Sequence, residues 1–322
     1  MSDPQLESAM KAMKIAHISV VAEGIKEFEF VDPEGASLSE FSAGAHIAIK
    51  VPNGSIRKYS LCNDPNERNH YVIAVKRESN GRGGSVSLSD DAKVGDILLV
   101  SDPINAFPFV KAPGYLFFAG GIGITPMLSM IRSLEAEGIE NWKLYYLSRD
   151  PSTTAYRDTL SDEKYRNRVI IHHDYGDISR SLDLWPILEK PSSNHIFCCG
   201  PRPLMNAVRD MSGHWPMENV HFESFADGSS LQKPDDKPFK VLLAKSNLTV
   251  EVPAGVTLLD ALREAGHAVP ASCESGSCGS CRTTLLRGEA DHRDFVLTPA
   301  EQDSYIMVCV SRAKCEELVI DL

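Results

Sequence analysis

The 322-residue sequence has no run of about 18 apolar residues and no basic-then-apolar leader, so neither a membrane span nor export is expected. It is also short of positive charge. Its 33 Lys and Arg face 44 Asp and Glu, a net charge of -11, which argues against a nucleic-acid partner. Nothing in the pattern suggests a coiled coil or a large apolar face, and the expectation is a cytoplasmic monomer. The dinucleotide fingerprint G-x-G-x-x-G is missing too, because Pro126 stands where its third glycine would fall. A plain doubly wound dehydrogenase is therefore disfavoured.

What is present begins with cysteine. Cys273, Cys278 and Cys281 are spaced C-x4-C-x2-C, with Cys309 further on, the ligand pattern of a plant-type [2Fe-2S] cluster. The Ser and Gly residues between them let the backbone wrap closely and turn N–H groups toward the sulfurs. A disulfide is disfavoured without a secretory signal, and zinc sites usually pair two short C-x2-C knuckles. Cys62, Cys198 and Cys315 read as reduced thiols outside the pattern. The hydrophobic fraction of 43% lets each of two or three domains bury a core.

The first dozen residues read as a loose end. From Lys14 to about Pro108, short alternating runs separated by turns such as Asp32-Pro33-Glu34-Gly35 and Pro52-Asn53-Gly54 predict an antiparallel β-barrel without helical periodicity. Arg57-Lys58-Tyr59-Ser60 closes one strand, and Gly81-Arg82-Gly83-Gly84-Ser85 follows another. An Arg beside a Tyr and a Ser can pair a phosphate, lay a ring along a cofactor and offer a hydroxyl to a flavin nitrogen, while the glycine run can present N–H groups to the same phosphate. Each could be an edge strand or a flexible turn alone; together, ahead of the next domain, they point to a flavin.

At Pro113 strands begin to alternate with helices, predicting an α/β parallel sheet. Tyr115 to Ala119 is followed by Gly120-Gly121-Ile122-Gly123-Ile124-Thr125-Pro126, with Thr125 suited to an N-cap and Pro126 to the first helical position. Further strands are expected at Lys143 to Leu147, Val169 to His172, His195 to Cys199 and Val220 to Phe225. Thr125, Ser148, Arg149, Cys199 and Phe225 should gather beyond the carboxyl ends of the strands, where Cys199-Gly200-Pro201 forms a second tight turn. Singly, Cys199 would be a buried small residue, Arg149 a surface charge and Phe225 a core aromatic. Arg149 would welcome a 2′-phosphate on the nucleotide and Asp150 would repel it. Residues 226–238 are polar and aperiodic and read as a linker. Beyond them lie a hairpin, one helix through Leu258 to Ala265, the cysteine loop and final strands.

With these residues in view, the chain resembles the phthalate dioxygenase reductase family of Rieske oxygenase reductases. The resemblance rests on Arg57 to Asn63, Gly81 to Ser85, Gly120 to Pro126, Cys199 to Pro201, His221 to Phe225 and the cysteine loop. It implies an FMN-binding β-barrel over residues 1–110, an NADH-binding α/β domain over 111–226, a linker over 227–236 and a plant-type ferredoxin domain of β-grasp fold over 237–322. It also implies FMN rather than FAD, with Arg57, Arg82, Gly83, Gly84 and Ser85 near its phosphate. Tyr59, Ser60, Ala74, Val75, Lys76, Thr125 and Phe225 would surround its ring system, and Lys58 stands where the family is expected to carry Thr. Gly120, Gly121, Gly123, Thr125, Pro126, Ser148, Arg149, Asp150, Cys199, Gly200 and Pro201 are the candidate nucleotide-binding set. Phe225 would cover the flavin face and move aside for nicotinamide, with Thr125 and Cys199 lining the space and Ser60 completing the catalytic group. NADH gives up two electrons as hydride and a cluster accepts one at a time, so a flavin must stand between them. The implied role is electron supply from NADH through FMN and [2Fe-2S] to a Rieske-type aromatic-ring oxygenase. The alternatives are a reductase of a demethylating monooxygenase or a redox-sensing flavin and iron-sulfur protein.

Overall fold

The computed structural model describes residues 7–226 and 231–322 and divides into two compact units, Met1–His221 and Phe222–Leu322. In the first unit, strands β1 (Lys11–Ala22), β2 (Ile25–Val31), β3 (Ala45–Lys50), β4 (Ile56–Ser60), β5 (Tyr71–Lys76) and β6 (Ile97–Val100) pair in the order β4-β3-β6-β1-β2-β5, with β7 (Ile104–Asn105) added on β3. An antiparallel bridge from Leu61 to Ile73 brings the end of β4 to β5 and closes the barrel. Alternation does the sorting. Phe28 and Phe30 of β2 turn inward onto Ile15, Ile47, Ile49 and Leu61. Shifts of register at Ile15/His17 and Val20/Ala22 mark irregularities in the long strand β1.

Two expectations for this barrel fail. The chain is not loose up to residue 12, because β1 starts at Lys11, pairs with β6 and buries Met13. Lysines at 11 and 14 masked an alternation in which only Met13 and Ile15 face inward. Residues 1–6 lie outside the described residues. The barrel also carries a helix, α1 (Gly84–Asp91), whose buried residues are Gly84, Ser87, Leu88 and Ser89. A single leucine among serines leaves no apolar stripe for periodicity to detect.

Next come β8 (Tyr115–Gly120), β9 (Trp142–Ser148), β10 (Val169–His173), β11 (His195–Cys199) and β12 (Val220–Glu223), in the sheet order β10-β9-β8-β11-β12. β8 runs parallel to both β9 and β11. The chain therefore leaves β8 toward one edge of the sheet and later returns to its other side. The crevice outside the carboxyl ends of β8 and β11 is the topological switch point. Helix α2 (Ile124–Ala136) packs Met127, Met130, Ile131 and Leu134 on the sheet, and a further helix, α3 (Arg202–Met211), follows β11. Two bonds from α2 fasten it to the barrel just past Ser60: Arg132 Nη1 donates to the Cys62 carbonyl at 2.6 Å and Ser129 Oγ to the Asn63 carbonyl at 2.9 Å.

In the second unit β13 (Phe239–Leu243), β14 (Leu248–Val252), β15 (Arg282–Arg287), a short pair β16 (Ala290–Asp291) and β18 (Arg312–Ala313), β17 (Tyr305–Met307) and β19 (Glu317–Ile320) surround helix α4 (Leu258–Glu264), and a four-residue helix, Pro299–Gln302, precedes β17. The main sheet is mixed, in the order β14-β13-β19-β15-β17, with β13 parallel to β19 and antiparallel to β14. α4 buries Leu258, Leu259, Ala261 and Leu262, and Thr257 caps it by accepting the Asp260 N–H at 3.0 Å. The stretch read as a linker is partly part of this unit. From Leu231 to Lys237 it is held by Arg293 and Arg312, through bonds to the Leu231 and Lys237 carbonyls, the Gln232 amide and the Asp236 carboxylate. Residues 227–230 lie outside the described residues.

Candidate functional site

Arg57 lies along the start of α1, donating from Nη2 to the Arg82 carbonyl at 3.3 Å and from Nη1 to the Ile56 carbonyl at 2.8 Å. Only glycine fits opposite it, since a Cβ on Gly84 would stand 2.4 Å from Arg57 Nε. Gly83 has φ +76° and precedes the helix without a side-chain cap. Asn53, which the sequence reading passed over as a turn residue, holds this corner by donating from Nδ2 to the Gly83 carbonyl at 3.3 Å. Ser85 Oγ accepts the Glu78 N–H at 3.1 Å, which leaves its own proton to donate. The uncapped N–H groups and positive dipole end of α1 thus lie beside Arg57 and Arg82, the donor set of a phosphate cradle.

Next to it, the Tyr59 hydroxyl is buried without a hydrogen-bond partner. Burial pushes its pKa up to about 12 against the pull of Arg57. A buried phenol left without an acceptor is costly, and a bound flavin phosphate or ring atom is the kind of group that would satisfy it. Ser60, Ala74 and Val75 are buried, whereas Lys58 and Lys76 are exposed. Strand β5, which carries Ala74, Val75 and Lys76, lies against the 3-10 turn Gly121–Gly123. The fold therefore brings the barrel's candidate ring-binding strand to the glycine turn of the next sheet.

At the switch point the two turns touch through glycine. A Cβ on Gly123 would stand 2.1 Å from the Cys199 carbonyl, one on Gly120 2.5 Å from Pro201 Cδ, and one on Gly200 2.8 Å from Gly120 Cα. Gly121 is left-handed, φ +53°. Thr125 and Cys199 are both buried here. Thr125 is not the N-cap, and Pro126 is not the first helical residue. Gly121–Gly123 forms a 3-10 turn that runs straight into α2, so the helix starts at Ile124 and Thr125 Oγ1 donates back to the Ile122 carbonyl at 3.0 Å. Ser148 is bonded to Thr154 Oγ1 at 2.7 Å and His173 Nδ1 at 3.0 Å. Asp150 caps the turn Pro151–Thr153, accepting the Ser152 and Thr153 N–H groups, and Arg149 is exposed. β12 ends at Glu223, short of the expected Phe225, which follows two residues later at 47% exposure.

The cysteine loop turns through three left-handed residues, Glu274, Gly276 and Gly279. Ser275 N–H donates to Cys273 Sγ at 3.4 Å, Cys273 N–H approaches Cys278 Sγ at 3.5 Å, and Ser280 Oγ lies 3.1 Å from the same sulfur. The four thiols group two and two. Cys278 bonds to Cys273 and lowers its pKa, Cys309 bonds to Cys281 and lowers that of Cys281, and Cys273 also acts electrostatically on Cys281 and Cys309. Among the described residues no three His, Cys, Asp or Glu side chains are grouped as ligands of one ion. Two neighbouring thiol pairs suit a binuclear cluster, in which each iron takes two cysteines, and backbone and hydroxyl donors to the sulfurs are the outer partners such a cluster needs.

Comparison with known proteins agrees with this geometry. Residues 12–109 match the oxidoreductase FAD-binding domain family and residues 241–314 the 2Fe-2S iron-sulfur cluster binding domain family. The chain is 53% identical to phthalate dioxygenase reductase of Burkholderia cepacia, with 100% of each covered, and 50% identical to the phthalate 4,5-dioxygenase oxygenase reductase subunit of Pseudomonas putida, covering 100% of this chain and 99% of that one. A solved phthalate dioxygenase reductase, described as a modular structure for electron transfer from pyridine nucleotides to [2Fe-2S], superposes with a TM-score of 0.74 at 53% identity over 100% of both chains. A flavin-type barrel, a parallel nucleotide-type sheet and a cysteine loop of this kind, matched from end to end at such identity, make the chain an oxidoreductase that belongs to the phthalate dioxygenase reductase family.

Proposed function

We propose that this protein takes hydride from NADH onto FMN and delivers single electrons through a [2Fe-2S] cluster to a Rieske-type ring oxygenase. The observation that carries the reading is that one chain holds three cofactor-shaped sites: the cradle with its orphaned Tyr59 hydroxyl, the paired glycine turns at the switch point, and the thiol pairs. Bound there, NADH supplies hydride, FMN converts a two-electron donor into single-electron steps, and the cluster exports them. Arg57, Arg82, Gly83, Gly84 and Ser85 hold the flavin phosphate, and Tyr59, Ser60, Ala74, Val75 and Lys76 fix the ring. Gly120, Gly121, Gly123, Gly200 and Pro201 let the nucleotide backbone approach closely, and Thr125 and Cys199 bound the nicotinamide end. Cys273, Cys278, Cys281 and Cys309 hold the cluster.

Anaerobic titration with NADH tests the sequence of carriers: flavin and cluster absorption should both bleach, and added cytochrome c should be reduced with steady turnover. A cluster that stays oxidised would overturn the reading. Flavin released by acid should run as FMN, and recovery of FAD would correct that part alone. The NADH preference rests on Asp150 and the family, since Arg149 pulls the other way. Equal or higher kcat/KM for NADPH would show that Arg149 prevails.

Arg57→Ala should weaken flavin binding tenfold to a hundredfold, because a charge-assisted phosphate contact contributes about 1.5 to 3 kcal/mol. Fluorescence titration of the deflavinated protein measures this. Unchanged affinity would place the phosphate elsewhere.

A further inference from the structure

The Asp294 side chain in the second unit has no exposure to water, although a carboxylate is among the costliest groups to bury. Its Oδ1 accepts the N–H groups of Val296 at 3.0 Å and Leu297 at 2.8 Å. Its Oδ2 has no donor, and neither has the buried Nδ1 of His292 a partner. The two lie 3.8 Å apart, which makes His292 an electrostatic neighbour and not a hydrogen-bond partner. Burial pushes this carboxyl up, but His292 and the two backbone N–H groups outweigh it and hold it below 3.8.

The segment that carries Asp294 lies on the cysteine loop. Phe295 N–H donates to the Gly276 carbonyl at 2.9 Å. A Cβ on Gly276 would come within 3.1 Å of Asp294 Cα and 3.3 Å of its Cβ, and one on Gly279 within 3.3 Å of Val296 Cγ1. The neighbouring charges are already balanced. Arg293 is shared between Asp291 and Asp236, and Glu274, 40% exposed, pairs with Arg263 at 3.0 Å. The turn at Val296 and Leu297 needs an acceptor oxygen, which Asn or Ser would supply equally well. The second oxygen accepts no hydrogen bond and has only His292 near it at 3.8 Å, and a buried group of this kind calls for another reason to be kept.

We propose that Asp294 sets the reduction potential of the cluster held by the four cysteines, its buried negative charge opposing the electron that arrives from the flavin. The step is a one-electron transfer in which no bond forms or breaks. A fixed charge screened from water acts on it more strongly than an exposed charge at similar range.

The inference rests on the cluster reading, and the experiment keeps the two apart. Asp294→Asn and Asp294→Ser keep an acceptor for the turn and remove the charge. On the full chain, iron and sulfide are counted, the electron paramagnetic resonance spectrum of the dithionite-reduced protein is recorded, and the midpoint is found by redox titration. Both variants should keep the parental spectrum and favour the reduced cluster about tenfold, a rise of about 59 mV for one electron. Glu274→Gln should shift it by only a small fraction of that. A parent without iron and sulfide would sink the cluster reading itself. A loaded variant with the parental midpoint would overturn the role of Asp294 and leave that reading standing. Equal shifts in Asp294→Asn and Glu274→Gln would also overturn it, since burial would then count for nothing. So would loss of the cluster in both Asp294 variants, which would make the carboxylate a builder of the loop.

Discussion

Cys309→Ala is expected to abolish the visible absorption of the cluster and all electron export to cytochrome c, while flavin-dependent oxidation of NADH by dyes continues. Cys309 and Cys281 are each 2% exposed and pair with one another, so with the proposed ligand set removing Cys309 would leave one iron with a single thiolate. A substitute ligand would have to enter a buried turn just past β17, whose N–H groups at Val310 and Ser311 are bound to the Met307 carbonyl. Cys315 is six residues further on but exposed, with its thiol directed to the Glu317 carbonyl at 3.1 Å, and Cys315→Ala should change neither absorption nor turnover. Iron and sulfide analysis beside the spectra checks both variants. A Cys309→Ala protein with its full iron and sulfide would refute the ligand set.

Asp236→Ala should destabilise the second unit by about 3 kcal/mol, because the buried Arg312 loses its carboxylate and Arg293 keeps only Asp291. Arg293 bonds to both Asp236 oxygens, at 2.9 and 2.5 Å, and Arg312 Nε stands 3.6 Å from the same carboxylate. All three side chains are nearly inaccessible, with 6%, 7% and 2% exposure for Arg293, Asp236 and Arg312. A loss of that size is a large part of the about 5 to 15 kcal/mol by which domains are normally stable. The bonds from Arg293 hold Asp236 at about 2 against an ordinary 3.8. Since the folded value is the lower one, this stabilisation is complete above pH 3.8 and is lost as pH falls toward 2. Urea unfolding of parent and variant followed by circular dichroism measures the loss, and the variant's stability should depend less on pH across that window. Equal midpoints in urea would mean that the strap from Leu231 to Lys237 is not held by this charge.

The 2Fe-2S domain was legible because a cluster's demands are local: thiolates at short spacing, with small residues between. The glycine turns were legible for a similar reason, since a Cβ has no room at Gly84, Gly120, Gly123 or Gly200, and that requirement is written in residue type. Thr125 misled because capping signals assume that a helix begins from extended backbone, whereas here a 3-10 turn precedes it. α1 was missed because its buried face is serine and one leucine. No local pattern announces that Leu231 to Lys237 is held to the second unit, because the contacts come from arginines 62 residues beyond Leu231 and 75 beyond Lys237.

What the amino-acid sequence determined by itself was therefore a flavin module, a parallel nucleotide-type sheet and a [2Fe-2S] module in that order, because ligand type, glycine placement and strand alternation are properties of neighbours along the chain. Only the tertiary structure decided which groups lie buried and unpaired. The Tyr59 hydroxyl and the Asp294 carboxylate carry no distinguishing neighbours in sequence, and each acquires meaning only when strands and loops remote in the chain close over it and exclude water.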